Sequence, residues 1–534
     1  MLEWPKKDNA QPDRPMGNAA SAVKTLAEMR GADPLTALSD LGGWLDMVKG
    51  LARQNETGRS EVLSQIQVAS DVHVSALLAQ FLARPTGKRG TIDSSWKTLS
   101  SYLTALTGAL HASARLLLKG VATNPPLQLA AATDAARFLH AGRLLAKVCL
   151  IRYLSVPPKL WRLAYAMQDE AERAGCATTP IRLHPSHKST TTVSQELLRL
   201  LMLQSCAPEM LAPEQIEVAD RLIEQLGQDF TLRPRGVTDN PFCFDPSSDR
   251  PPHRAPAQPQ EPNTEIRYFG PGAGLDALER LLKHMATFRT AEIKALGALG
   301  GDIAPHAQIS AIRHLLAFWG ASCPYTSPAR SPTAGELRVI HGYSQVWQHL
   351  SCARSGTREL ALLEDGDTAP SAPETWTLQE VGGDELGADI PQAAGDWARC
   401  GDVVAVSRNG TDGDGLGVIR SMHAEWGGRR QANIAILSRD PQAVQLRVHL
   451  EKGEESAYSE EAAQAFAFNL ARAIILSDGS AAAQTPNLLL PPESWKEGRI
   501  YEASVKGSAR QLRGLQLLRR GDDYVRATFE WVTL

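Results

Sequence analysis

The stretch Gly401–His423, GDVVAVSRNGTDGDGLGVIRSMH, decides how the C-terminal half of the chain is read. Gly401 and Asp402 open it, and Val403, Val404 and Val406 follow with strand-forming side chains. Asn409 to Gly415 is a dense run of turn residues, after which Leu416-Gly417-Val418-Ile419 restarts the pattern. The spacing predicts strand, turn, strand in a chain whose first half reads as helix.

The neighbouring segments share this texture. After Pro324, ELRVIHGYSQVW, TWTLQEV, QANIAILS and AVQLRVHLE are short strand candidates separated by turns. In DDYVRATFEWVTL, Val525, Ala527, Phe529 and Trp531 alternate with Tyr524, Arg526, Thr528 and Glu530, the signature of a half-buried strand. SEEAAQAFAFNLARAIIL fits either a helix capped by Ser459 or a pair of strands. Closely spaced antiparallel strands favour a small closed barrel, which leaves no unpaired edge. The opening hairpin is then barrel wall.

Upstream the period is helical. TLSSYLTALTGALHASARLLLKG repeats Leu99, Leu103, Leu106, Leu110 and Leu117 on one face. PPKLWRLAYAMQDEAERAG starts on proline and stops on glycine. The segment Asp245–Glu265 holds six prolines and no apolar period, so it reads as a linker. The expected layout is a polar tail at 1–18, an α-helical domain at 19–240, a proline-rich linker at 241–265, a helical segment at 266–324 and a β-barrel domain at 325–534. The fold class is α+β: a multi-helical α-hairpin stack followed by a small antiparallel β-barrel.

Composition narrows the function. With 43% hydrophobic residues the chain can build packed cores, and a net charge of -3 gives no footprint for a nucleic-acid polymer. The seven cysteines are scattered and form no CxxC pair, so reduced thiols are expected. The first residues, MLEWPKKDNAQPDRP, lack the apolar core of a signal peptide, and no run of about 18 apolar residues suggests a membrane span. The expected location is the cytoplasm.

Individual motifs fall short of catalysis or metal binding. With Gly415 at the glycine of a calcium loop, the first ligand place falls on Gly410 and the closing bidentate place on Ser421, which removes two strong oxygen ligands. GPGAG at Gly270–Gly274 precedes a helix but lacks the Lys-Ser/Thr of a P-loop, so it reads as a helix entry. His184 and His187 have no HExxH or cysteine partner, and no GxSxG elbow occurs. No catalytic residue, cofactor or metal ligand is expected. Arg354 and Arg358 form an RxxxR, and two planar guanidinium forks can pair phosphate or stack on purines.

Together with the strands, these residues resemble the PilZ family of cyclic di-GMP receptors. That family places RxxxR ahead of a six-stranded barrel, followed by a D/NxSxxG turn. Trp376-Thr377-Leu378 matches the strand before the turn, EVGGDELGADI at Glu380–Ile390 the turn, and Gly401–Val404 and Gly417–Arg420 the later strands. A long helical region before such a barrel is similar to proteobacterial PilZ-like proteins; LLRLLMLQSCAPEMLAPEQ and FCFDPSSDRPP carry that likeness. The resemblance implies ligand contacts at Arg354, Arg358 and Gly387. The turn departs from the family pattern in either register: with Gly387 as its terminal glycine, Gly382 replaces Asp or Asn and Asp384 replaces Ser, and with Gly383 as its terminal glycine those places hold Leu378 and Glu380. The expected protein is a non-enzymatic signalling receptor or adaptor with cyclic di-GMP as partner at a degenerate site. The alternative is a helical scaffold whose degenerate barrel contacts an unidentified protein without nucleotide.

Overall fold

The computed structural model describes residues 19–51, 56–82, 89–184, 189–234, 240–256, 265–287, 302–321, 330–355, 372–392, 394–408, 415–426, 428–448, 470–476, 485–505 and 508–532. The chain divides into two compact units, Met1–Tyr325 and Thr326–Leu534. Arg358, His187, the hairpin tip 409–414, the polar tail 1–18 and residues 459–469 lie outside the described residues.

The first unit is built from helices: α1 (Ala19–Met29), α2 (Pro34–Leu51), α3 (Glu56–Leu82), α4 (Arg89–Val121), α5 (Gln128–Ile151), α6 (Pro158–Arg173), α7 (Val193–Gln204), α8 (Pro213–Leu226), α9 (Gly274–Thr287) and α10 (Pro305–Trp319). The leucine stripe of α4 is buried along its whole length, from Leu99 to Leu117. By length and composition alone, Gly58–Leu82 of α3 could cross a membrane; here Leu63, Ile66 and Leu77 join the helical core.

Helix α5 packs against α4, α7 and α8, so its polar side chains must find partners inside the protein. Asp134 accepts from Ser60 Oγ at 2.7 Å and Ser113 Oγ at 2.6 Å. Arg143 and Lys147 donate to the two carboxylate oxygens of Asp220 on α8, at 2.6 and 2.8 Å. Lys147 also lies 3.0 Å from Glu217, and Arg143 pairs with Glu224. On α7, Glu196 pairs with Arg199 and lies 3.4 Å from His140. Burial alone would raise the carboxyls of Asp220 and Glu196. The cations Arg143 and Lys147 instead hold Asp220 at about 2, and the neighbouring His140 and Arg199 hold Glu196 at about 2.

The proline-rich linker needs correction over its described part. Strands β1 (Thr231–Arg233), β2 (Phe242–Phe244), β3 (His253–Arg254) and β4 (Arg267–Gly270) form a sheet in the order β1-β4-β2-β3. Phe242, Cys243 and Phe244 are buried, and Phe244 stacks on Tyr165 at 4.5 Å. Arg254 caps the C-terminus of α10: its Nη1 donates to Gly320 O at 3.0 Å, its Nη2 donates to Phe318 O, and the guanidinium lies 5.0 Å from the Phe242 ring centre. The prolines allow an extended course, and aromatic and arginine side chains between them fasten it down. At GPGAG, a Cβ on Gly272 would stand 2.2 Å from Asp229 O, so that glycine serves close packing at the entry to α9.

The second unit holds two closed six-stranded antiparallel barrels where one was expected. The first comprises β5 (Ser331–His341), β6 (Glu374–Gly382), β7 (Glu385–Ile390), β8 (Val403–Arg408), β9 (Gly415–Ala424) and β10 (Arg430–Ser438), in the order β10-β7-β6-β5-β8-β9. The opening hairpin is β8 and β9, paired from Val403↔Val418 to Val406↔Gly415, and is barrel wall as the sequence predicts. The second comprises β11 (Gln442–Val448), β12 (Leu470–Leu476), β13 (Asn487–Leu490), β14 (Ile500–Val505), β15 (Ser508–Arg520) and β16 (Val525–Val532), in the order β11-β12-β13-β16-β15-β14.

Helix α11 (Tyr343–Ser355) follows β5, so the strand expected through ELRVIHGYSQVW ends at His341 and gives way to helix. Gly342 makes the break at φ +83, a conformation that favours glycine. Tyr343, Val346 and Leu350 share a buried cluster with Ala405 and Leu416 of the first barrel and Ile474 and Leu489 of the second. The Tyr343 hydroxyl lies 2.7 Å from Arg472 O and 3.0 Å from Leu489 O, and Trp347 Nε1 lies 3.1 Å from both Val444 O and Ala473 O.

Candidate functional site

On the outer wall of the first barrel, pairing register sets four residues in one cross-strand row. Glu380 of β6 faces Gly387 of β7, Gly387 faces Asn433 of β10, and Asn433 faces Ser421 of β9. Leu386, Ala388 and Ile390 form the buried apolar set of β7, and strand alternation puts Glu385, Gly387 and Asp389 on the opposite face, the outer wall. The register shifts on both flanks of this row. One shift leaves Gln379 opposite no β7 residue; the other leaves Arg420 as the extra residue of β9. Such bulges re-aim side chains and recur beside binding sites.

Two arginines converge on the row. Arg330, just ahead of β5, donates Nη1 to Asn433 Oδ1 at 2.5 Å and Nη2 to Glu385 Oε2 at 2.8 Å. Arg420 donates to the other oxygen, Glu385 Oε1, at 2.9 Å. The Asn433 amide donates to Ser421 Oγ at 2.8 Å, and Glu380 stands 3.5 Å from Arg330. Glu385 is only 4% exposed although it lies on the outer wall, because the guanidinium groups cover it. Gly387 is the floor of the cluster: a Cβ there would meet Glu380 Cβ at 3.3 Å and Asn433 Oδ1 at 3.4 Å.

Of the three contacts expected from sequence, Gly387 lies in this cluster. It sits inside a strand, because EVGGDELGADI is a hairpin of β6 and β7 turning at Gly383 (φ +55) rather than an open turn. Arg354 is in the last turn of α11, after the barrel's first strand rather than ahead of the barrel, and its side chain lies outside the described residues, as does Arg358. The arginine standing ahead of the first strand is Arg330. The sequence reading named Arg420 within Gly417–Arg420 only as strand pattern and passed over Arg330 and Glu385.

The arrangement offers two guanidinium forks, a carboxamide and a hydroxyl on a rigid wall, a donor set suited to phosphate and to the edge of a base. Among the described residues, no group of three or more His, Cys, Asp or Glu side chains could hold a metal ion. The six described cysteines are free.

Comparison with known proteins bears on the helical unit. Residues 20–235 match the family model described as cyclic-di-GMP receptor FimW, N-terminal domain. No curated protein and no solved structure matches the chain. The six-stranded antiparallel barrels that follow are consistent with a PilZ-like fold.

Proposed function

We propose that the protein is a non-enzymatic cytoplasmic signalling receptor that binds cyclic di-GMP on its first barrel. The observation that carries the reading is the match of residues 20–235 to the N-terminal domain of a cyclic-di-GMP receptor, in a chain that continues into PilZ-like barrels. The Arg330–Arg420 cluster is the phosphate-binding part of the site, with Asn433 and Ser421 beside it. Arg354 and Arg358, the RxxxR pair of the sequence, supply a second pair of phosphate-binding guanidinium groups.

Calorimetric titration of the full chain with cyclic di-GMP tests this. Charge-assisted contacts contribute about 1.5–3 kcal/mol each, so Arg330→Ala and Arg420→Ala should each weaken binding roughly ten- to a hundredfold. Affinity should also fall with added salt. If these variants bind as the unmodified chain does and Arg354→Ala with Arg358→Ala abolishes binding, the ligand is held by the RxxxR pair instead. No heat at millimolar ligand refutes the receptor reading.

A second reading, a barrel that contacts protein without nucleotide, is favoured by one feature. Both arginines of the cluster are already engaged by Glu385.

A further inference from the structure

We propose that Glu385 is an internal competitor for the ligand, holding the phosphate-binding faces of Arg330 and Arg420 with its own carboxylate and thereby setting the affinity of the site. This rests on the reading that cyclic di-GMP binds at this cluster.

The geometry is specific. Glu385 directs one oxygen to each guanidinium, Oε2 to Arg330 at 2.8 Å and Oε1 to Arg420 at 2.9 Å. A phosphate bridging the same two arginines would present two oxygens in the same way. Glu385 and the ligand therefore compete for the same N–H groups, and their like charges repel at contact distance. The competitor is also fixed in place. Arg330 is held from its other side by Asn433 Oδ1, and Asn433 is in turn held to Ser421. The Arg330 side chain is 13% exposed, whereas that of Arg420 is 41% exposed. Arg420 is thus the arm that can swing from the carboxylate to a ligand, and its position at a β-bulge leaves it outside the regular register. Glu380, its side chain 48% exposed and 3.5 Å from Arg330, adds a second, looser negative charge.

Glu385→Gln keeps the shape and one acceptor oxygen while removing the charge. Measured by calorimetry on the full chain, it should bind cyclic di-GMP at least roughly tenfold more tightly than the unmodified protein, with a steeper salt dependence. Adding Arg420→Ala to Glu385→Gln should erase the gain. Glu530→Gln is the control for net charge: Glu530 pairs with the exposed Arg513 at 3.0 Å on the second barrel, so its loss should leave affinity unchanged. If the unmodified chain binds and Glu385→Gln binds equally or more weakly, the competitor is refuted while the receptor reading stands. Equal gains in Glu385→Gln and Glu530→Gln also refute it, because the effect is then one of overall charge. No binding by either the unmodified chain or Glu385→Gln overturns both. Should Glu385→Gln fail to fold by thermal melting, Glu380→Gln decides instead: a smaller gain supports the proposal and no gain overturns it.

Discussion

Replacing Asp220 by asparagine probes the buried ion network that ties α5 to α8. Asp220 accepts from Arg143 at 2.6 Å and from Lys147 at 2.8 Å. Asparagine keeps the size and removes the charge, leaving two buried cations short of one counter-charge. Breaking one partner of a buried pair costs about 3–5 kcal/mol. Glu217 remains 3.0 Å from Lys147 and Glu224 remains on Arg143, which puts the expected loss at neutral pH near the lower end, about 3 kcal/mol. The pH dependence is the sharper readout. In the fold Asp220 keeps its charge down to about 2, against an ordinary value of 3.8. A depressed carboxyl contributes stability that is complete above its unfolded value and drains away as the pH falls toward the folded one. Glu196, held at about 2 against an ordinary 4.5, acts in the same direction. At about 1.4 kcal/mol per pH unit, Asp220 accounts for ~2 kcal/mol and Glu196 for ~3 kcal/mol of the stability lost between pH ~5 and ~2. Urea unfolding of the full chain, followed by far-ultraviolet circular dichroism at a series of pH values, measures this. Asp220→Asn should start lower at neutral pH yet lose about 2 kcal/mol less on acidification. A variant curve running parallel to that of the unmodified chain would show that Asp220 is not held charged by Arg143 and Lys147.

Arg254→Ala removes the cap on α10 and the cation over Phe242, so stability should drop by about 1–3 kcal/mol and limited proteolysis should begin within 245–256; unchanged resistance would mean that the arginine fastens nothing. Tyr343→Phe strips one hydroxyl from two buried carbonyls in the second unit, at a cost of about 1–3 kcal/mol in urea unfolding; a neutral effect would argue against the α11 anchor.

The architecture was legible where one strand or helix carries its own signal. The leucine stripe of α4 and the alternation of Val525, Ala527, Phe529 and Trp531 each reveal a buried face from one segment, and those side chains are buried except Trp531, which is partly so. Alternation marks a half-buried strand but is silent about which strand closes with which. Six strands pairing β13 to β16 and β11 to β14 make a second barrel, and those pairings span dozens of residues. Tyr524 shows the same limit. Its place in the alternation puts it opposite Val525, facing water, yet it is buried, and its hydroxyl lies 3.1 Å from Gly401 O. Polar segments misled in the opposite direction: six prolines outweighed Phe242, Phe244 and Arg254, whose packing needs partners on α6 and α10.

The candidate site was partly legible for the same reason. RxxxR is a spacing within one segment, so it draws the eye to Arg354 and Arg358. Arg330 and Arg420 stand far apart in the chain and meet because β5 starts beside β6, while a bulge in β9 turns Arg420 toward β7. Gly387 enters the reading because the family pattern ends on glycine; in the fold a side chain at that position would press on Glu380 and Asn433. The departure noted in the turn also takes physical form. Asp384, which stands where serine was expected, sits at the hairpin turn, where it pairs with Arg439 at 2.9 Å, away from the Glu380–Ser421 row. The carboxylate that faces the arginines is its neighbour Glu385. One residue along a strand reverses the face. A motif laid onto this hairpin without its register therefore assigns the repelling charge to Asp384, while the pairing of β7 with β10 assigns it to Glu385.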